Sequence, residues 1–364
     1  MAIIFCVAAS PPRSRFDKAT LMLRSLHPLS TLRSHGAALR RPECVLTHRS
    51  GRLFASDWTG RGGVSVIEPD GETWRIEARG LDFDLRPNGV SLTQEGDFLA
   101  AHLGPDQGGV YRLAPDGAAR PFLLEIDGAP LPPTNFIYSA IDGGHWISVS
   151  TRQSPRALGY RASVADGFII RVDRRGARIV ADDLGYANEC VPSPDGSLLY
   201  VNETFSRRLT VFDIQPDGSL TGRRLLTEFG AGVFPDGLAF DEAGDAWVTS
   251  IVSNRVIRVT PKGRQTMMLE DADPEHLDWV ERAYQNETMG RPHLDGVVSK
   301  TLRNISNLAF GGEDLKTAYL GCLLGQEIRS FRVSTAGHPG PSWRADLTAL
   351  PAARAAARSR LEPS

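Results

Sequence analysis

Residues 234–249 read Phe234-Pro235-Asp236-Gly237-Leu238-Ala239-Phe240-Asp241-Glu242-Ala243-Gly244-Asp245-Ala246-Trp247-Val248-Thr249. The stretch is a strand of about five residues, a turn at Gly244 and a second strand, which is the signal of a hairpin. Its weight comes from recurrence. Glu43-Cys44-Val45 leads to Gly51 and Leu53-Phe54-Ala55-Ser56, and Asn88-Gly89-Val90 to Gly96 and Phe98-Leu99-Ala100-Ala101. Asn135-Phe136-Ile137 leads to Gly143 and Trp146-Ile147-Ser148-Val149, and Asn188-Glu189-Cys190 to Gly196 and Leu198-Leu199-Tyr200-Val201. A sixth copy opens at Asn307-Leu308-Ala309-Phe310 and reaches Ala318-Tyr319-Leu320.

Third strands follow, such as Val64-Ser65-Val66-Ile67 before Asp70-Gly71 and Leu209-Thr210-Val211-Phe212 before Asp217-Gly218. A fourth, more polar strand then leads to the next copy, and the copies from Glu43 to Asp236 recur every 45 to 53 residues. Four strands in such a period define a propeller blade. The sequence therefore predicts an all-β fold, a six-bladed β-propeller with four-stranded blades and a central metal channel. Residues near 25–40 are expected to complete the last blade. A β-sandwich is the structural alternative, but it does not explain a polar residue opening every repeat.

The chain has 364 residues, 41% hydrophobic and 23% charged, with a formal net charge of -2. That balance supplies no electrostatic case for nucleic acid or an anionic membrane. No run approaches the ~18 apolar residues of a membrane span. Cys6, Cys44, Cys190 and Cys322 show no CxxC spacing, so neither a disulfide framework nor a zinc site is expected, and a reducing cytoplasm fits. Met1 to Val7 is apolar but lacks a basic n-region, and Pro11-Pro12 follows. Residues 1–24 are read as a disordered leader, with Met22 as a second possible start and export as the alternative to the cytoplasm. The propeller is placed at 25–348 as one domain, and 349–364 as a disordered basic tail. Oligomeric state is left open.

The first strands of propeller blades line the central channel, so the opening residues Glu43, Asn88, Asn135, Asn188, Asp236 and Asn307 should converge at one mouth. Converging carboxylate and amide oxygens suit a hard cation, because Ca²⁺ takes six to eight oxygen ligands. Two carboxylates balance its charge, and Asn oxygens add coordination without repulsion. Mg²⁺ ranks behind Ca²⁺, and Zn²⁺ behind both for lack of converging Cys or His.

Two insertions should rise on this face: 152–167, and 270–303 between the fifth and sixth blades. In the second, Asp273-Pro274 followed by Leu277, Val280 and Tyr284 predicts a short capped helix with one apolar face, read as a lid on the channel. His102, at the end of a second strand, and Arg152 are taken as substrate contacts with Asn88, Asn135 and Asn307. His276 and His293 are more readily explained as surface residues, and Trp146 and Trp247 as packing between blades.

The segments Arg86-Pro87-Asn88-Gly89-Val90, Ser193-Pro194-Asp195-Gly196-Ser197-Leu198-Leu199-Tyr200-Val201, Phe234 to Asp241 and Asn307-Leu308-Ala309-Phe310-Gly311-Gly312 resemble the SMP-30/gluconolactonase family. The resemblance runs from about Arg41 to Val333. It implies a calcium-dependent lactonase in which Glu43, Asn188 and Asp236 bind the metal. Asn135 falls where members place a ligand or a substrate-binding Asn, and Asp236 on the carboxylate that serves as general base or nucleophile. Asn88 matches a polar position of the gluconolactonase branch. The family often has Asn-Asp at Asn135-Phe136, Asn-Gly at Asn188-Glu189, Thr-Asp-Pro at Ser150-Thr151-Arg152 and, in some sugar lactonases, Arg at Pro133. The implied activity is hydrolysis of a small sugar-type lactone, an ester bond, with Ca²⁺ as Lewis acid. Organophosphate or other ester hydrolysis on the same metal, and a non-catalytic metal-binding propeller, are the alternatives.

Overall fold

The computed structural model describes residues 23–105 and 107–359. Most of the leader, including Cys6 and Met22, lies outside them. Six four-stranded antiparallel sheets are arranged as the blades of a propeller. Blade one begins at Val45–Thr47 and ends at Thr73–Glu77, and blade two runs from Pro87–Leu92 to Ala119–Leu123. Blade three runs from Phe136–Ser139 to Gly176–Leu184, blade four from Ala187–Pro192 to Leu220–Glu228, and blade five from Phe234–Phe240 to Gln265–Glu270.

Blade six has only three strands of its own, from Ile305–Gly311 to Ile328–Arg332. Its outer strand is Arg33–His35, antiparallel to Ile328–Arg332. The chain start is thereby hydrogen-bonded to the chain end, which closes the ring as the sequence led us to expect. Leu23–Arg24 pairs in parallel with the outer strand of blade five.

The repeat glycines have a stereochemical reason. Gly51, Gly96, Gly143, Gly196 and Gly244 have φ between +72° and +91°, a left-handed conformation that costs an L-residue with a Cβ but not glycine. Strand residues on both faces are buried because each blade packs between two others, so inner strands such as Phe98–His102 and Ala246–Ile251 have no exposed residue. Trp146 and Trp247 belong to this inter-blade packing. Trp247 is 1% exposed, edge-on to Phe310 of blade six at 5.3 Å.

Helix α1, Pro274–Gln285, starts where the sequence placed it. Asp273 is the N-cap, accepting from the backbone N–H of His276 at 2.8 Å, and Pro274 opens the first turn. The helix is pinned beside the channel mouth by Glu281, whose carboxylate takes both Arg207 Nη atoms at 2.9 and 2.7 Å and the Gly232 N–H at 3.0 Å. A short second helix, α2, covers Arg291–Asp295. In this insertion His276 is buried rather than on the surface, and His293 stacks on Trp279 at 4.1 Å.

The tail is the clearest correction. Leu350–Ser359 is a helix, α3, not a disordered segment. Leu350 and Ala353 are buried in the core shared by blades one and two, while Arg354 and Arg358 pair with Glu72. The Ala and Arg spacing that reads as low complexity is an amphipathic face. The segment just before it closes the far end of the channel: His338 N donates to Phe240 O at 2.8 Å and Ser342 Oγ to Thr47 O at 3.0 Å. No helix among the described residues is long and apolar enough to cross a membrane.

Candidate metal centre and substrate pocket

Strand register decides which residues meet at the open mouth. Val45, Val90, Ile137, Cys190, Leu238 and Leu308 each face the corresponding residue of the second strand in their blades. Two residues upstream of these lie Glu43, Asn88, Asn135, Asn188, Asp236 and Ser306. In blades two, four, five and six the register shifts at this point. Such bulges turn a side chain out of the ladder and are common beside functional sites.

Five of the six predicted opening residues therefore converge, and the sixth does not. Asn307 stands one residue further along, level with Glu189 rather than Asn188. Its Nδ2 donates to Glu189 Oε1 at 2.7 Å and its Oδ1 accepts from Val45 N at 2.9 Å. The mouth position of blade six is filled by Ser306, whose Oγ donates to the Glu43 carbonyl at 2.8 Å. The alternating pleat makes a one-residue error in register a change of layer.

The converging side chains form a continuous chain of contacts. Asn88 Nδ2 donates to Glu43 Oε1 at 2.7 Å and to Asn135 Oδ1 at 2.8 Å. Asn135 Nδ2 donates to Asn188 Oδ1 at 2.7 Å, and Asn188 is hydrogen-bonded in turn to Thr204 and Asp236. Burial pushes the Glu43 carboxyl up to about 7, against the pull of Arg41, Arg156 and the Asn88 amide. Asp236 is driven well above the usual carboxylate range by burial and then by nearby Glu43 and Glu189. The two carboxylates are buried together, with Arg41 and Arg156 opposing the rise at Glu43 and Arg41 that at Asp236.

Glu43 Oε2 and Asn88 Oδ1 are buried with no hydrogen-bond partner. Buried oxygens left bare are costly, and both residues line a cleft whose water-accessible volume is about 40 Å³. Among the described residues no cluster of three or more His, Cys, Asp or Glu side chains is found, so any ion held here must draw on amides as well. The donor set fits a hard divalent cation and not a thiolate- or imidazole-seeking one. A larger cleft lies between the far-side turns of blades three and four, lined by Arg171, Arg175 and Asp217. Arg175 pairs with Asp217, and Arg171 with Asp142 and Asp173, so size does not mark the functional site.

His102 and Arg152 are not in the pocket. His102 Nδ1 accepts from Arg86 N at 3.0 Å, and its ring packs on Phe83 and Tyr111. Burial, then the nearby Arg86 charge, lowers its pKa to about 4, so it is a neutral core residue. Arg152 is exposed, pairs with both oxygens of Asp182 at 2.7 and 2.8 Å and lies over the Phe168 ring. Neither residue lines the pocket.

In their place the pocket wall carries Arg41, Arg156, Tyr160, Tyr186, Thr204 and Arg291. Arg156 and Tyr160 come from the 152–167 loop and Arg291 from the 270–303 insertion, so both insertions do reach this face. Arg41 and Tyr186 stand two residues before Glu43 and Asn188. Both lie just before their strands in left-handed backbone, with φ of +54° and +67°, so strand alternation does not place them. Burial opposes ionisation of Tyr160, but Arg156 and Arg291 outweigh it and hold the phenol below its ordinary pKa.

Arg41 is positioned through blade one. Trp58 N donates to Arg40 O at 2.9 Å, and Asp57 Oδ1 accepts from Arg40 N at 3.2 Å and Thr59 N at 2.8 Å. Burial works against the charge on Asp57, but hydrogen bonds from Ser65 and Thr59, with Arg75, hold its pKa below the ordinary value. A depressed folded-state pKa contributes stability above the unfolded pKa, ~3.9, that is lost as pH falls through the folded value. Asp57→Asn is thus expected to lower the urea midpoint at pH 7 and to narrow its deficit against the parent below about pH 4. An equal deficit at both pH values would show that the carboxylate charge is not what matters.

The fold and this pocket define a six-bladed propeller with a carboxylate-and-amide centre at the one open end of its channel. The match to the family model described as SMP-30/Gluconolactonase/LRE-like region, over residues 41–271, shows that the chain belongs to that family. The match ends before the helical insertion and blade six, short of the Val333 read from sequence. The chain is 32% identical over 237 residues to the 6-deoxy-6-sulfogluconolactonase of Pseudomonas putida, covering 63% of this chain and 66% of the relative. It is 26% identical over 208 residues to the L-arabinolactonase of Azospirillum brasilense, covering 54% and 65% respectively. The chain thus spans just under two thirds of the length of these curated relatives. A gluconolactonase from Xanthomonas campestris superposes with a TM-score of 0.59 at 19% identity, over 82% of this chain and 88% of that one.

Proposed function

We propose that this protein is a divalent-metal-dependent lactonase that opens a small sugar-type lactone. The observation that carries the proposal is the buried convergence of Glu43 and Asp236 with three Asn side chains, Glu43 Oε2 and Asn88 Oδ1 being left without partners. Glu43, Asn188 and Asp236 would hold the ion, with Asn135 beside them, and the all-oxygen donor set favours Ca²⁺. When bound, the cation supplies Lewis acidity toward the ester carbonyl and its developing oxyanion. The two curated relatives, named for lactones of different sugars, support the reaction class.

In the reaction, water adds to the carbonyl carbon, the ring C–O bond breaks and a hydroxy acid leaves. A carboxylate oxygen of Asp236 takes the proton from the attacking water and returns one to the departing ring oxygen. Asn88 and Asn135 face the same space and can orient the hydroxyls of the lactone. The apolar contribution of Phe205, Ile251, Leu294 and Leu323 to the wall limits competing water.

A pH-indicator screen over sugar lactones, aliphatic lactones and fluorophosphates, before and after chelation, tests this. Sugar-lactone turnover that disappears on chelation and returns with Ca²⁺ is expected. Turnover that survives complete metal removal would overturn the metal requirement. Hydrolysis of fluorophosphates with none of lactones would move the activity to phosphoryl esters.

A further inference from the structure

Beside the carboxylate-and-amide cluster the pocket wall carries three arginines, two of which also act electrostatically on Glu43. Arg41 precedes blade one, Arg156 opens the 3₁₀ turn Arg156–Gly159 in the blade-three loop, and Arg291 begins α2 in the insertion. Three separate segments each deliver one guanidinium to the same rim. Of these, Arg291 is neutralised by Asp295, its Nε lying 3.1 Å from Oδ2. Among the described residues neither Arg41 nor Arg156 has a carboxylate within the 4.0 Å of an ion pair. The guanidinium of Arg41 lies over the Trp58 ring at 4.7 Å, and its buried Nε has no hydrogen-bond partner. That of Arg156 lies over the Tyr186 ring at 5.4 Å, its contact to Ser150 Oγ a long 3.5 Å.

The backbone beneath this rim is also held in an unusual conformation. Arg41 and Tyr186, both non-glycine, have φ of +54° and +67°. Such residues persist where the surroundings over-determine them and gather at ligand-binding sites. Resting on the lactonase reading, we propose that the rim of Arg41, Arg156 and Arg291 binds a compact oxyanion carried by the lactone, so that the true substrates are lactones with an anionic substituent. A divalent cation held by Glu43 and Asp236 would balance their charge and leave the arginines to attract a negatively charged substrate. Guanidinium forks match sulfonate, phosphate and carboxylate oxygens. Arg41 precedes Glu43 by two residues in a tight turn, Glu43 N donating to Arg41 O at 2.7 Å. All three arginines line the cleft beside the carboxylate-and-amide cluster, and C6, the exocyclic carbon of a hexonolactone, is where an anionic group can be varied without touching the ester.

Four lactones that differ only at C6 test the proposal: neutral glucono-δ-lactone and its 6-sulfonate, 6-phosphate and 6-carboxylate counterparts. At least one anionic lactone should exceed the neutral one in kcat/KM by roughly 10–100-fold, and the three arms identify the oxyanion. Arg156→Gln should cut that anionic-to-neutral ratio by a similar factor, mainly through KM, with Arg156→Lys recovering part of it. Salt should lower kcat/KM for the anionic lactone more steeply than for the neutral one. Equal turnover of all four, or a ratio unmoved in both Arg156→Gln and Arg41→Gln, would overturn the proposal.

Calorimetric titration with 1-deoxy-1-sulfoglucitol, which has no ester, separates this from the lactonase reading. Binding weakened by Arg156→Gln sustains the oxyanion rim even if no lactone is opened. Lactone turnover without any binding of the sulfonated polyol, and without anionic preference, removes the rim and leaves the lactonase.

Discussion

Asp236→Asn is expected to lower lactone turnover by roughly 10³–10⁴-fold while the fold is retained. The substitution keeps the size of the side chain and an oxygen toward the pocket, so the hydrogen bond with Asn188 can persist. It removes the proposed proton acceptor and one of the two carboxylates that would balance the ion. The companion variant Glu43→Gln should behave differently. Glu43 accepts from Asn88 at 2.7 Å and is not the proposed base. Its loss should weaken Ca²⁺ binding, with part of the turnover recovered at saturating metal. Steady-state kinetics against Ca²⁺ concentration, with the Ca²⁺-induced thermal shift of each variant, distinguish the two. Full turnover by Asp236→Asn at saturating Ca²⁺ would remove Asp236 as the base.

The second large effect is on stability. Trp247→Ala should cost about 4 kcal/mol, because a fully buried indole between blades five and six is replaced by a cavity. Part of that cost is polar. Trp247 Nε1 donates to Asp241 Oδ2 at 2.9 Å, while Asp241 Oδ1 accepts from Ala243 N and Asp245 N, both at 3.0 Å. Trp247→Phe keeps most of the packing against Phe310 but strips the donor from Oδ2, so about 2 kcal/mol should remain. Urea unfolding of the three proteins checks the ordering. A cost below about 1 kcal/mol for Trp247→Ala would show that neighbouring blades collapse into the space.

Much of the architecture was legible because a propeller repeats one local rule. A glycine with positive φ must end each first strand, so Gly51, Gly96, Gly143, Gly196 and Gly244 kept the copies in step. The helix at Pro274 was readable for the same kind of reason, since its cap and its apolar stripe are local. The site was legible where the repeat was regular. Glu43, Asn88, Asn135, Asn188 and Asp236 meet because each stands two residues upstream of the first-strand residue that pairs with the second strand.

The readings that failed depended on contacts between distant segments. The longer turn of blade six hid the fact that Ser306, not Asn307, holds the mouth register, and only the pairing of Leu308 with Leu320 reveals it. His102 ends a second strand as a pocket residue would, but Phe83 and Arg86 enclose it. The tail looked disordered because helix α3 has few hydrophobic residues, and its docking rests on a cleft between blades one and two and on Glu72.

The sequence by itself determined the all-β propeller, its sixfold register and the oxygen-rich character of its centre, since each follows from spacing and residue chemistry within a repeat. Only the tertiary structure decided which residues surround that centre. Arg41, Arg156 and Arg291 are far apart in the chain, and no periodicity links a blade-one leader, a blade-three loop and a helix after blade five. Closure of the ring brings them to one rim, and the segment around Ser342 stoppers the channel at its other end.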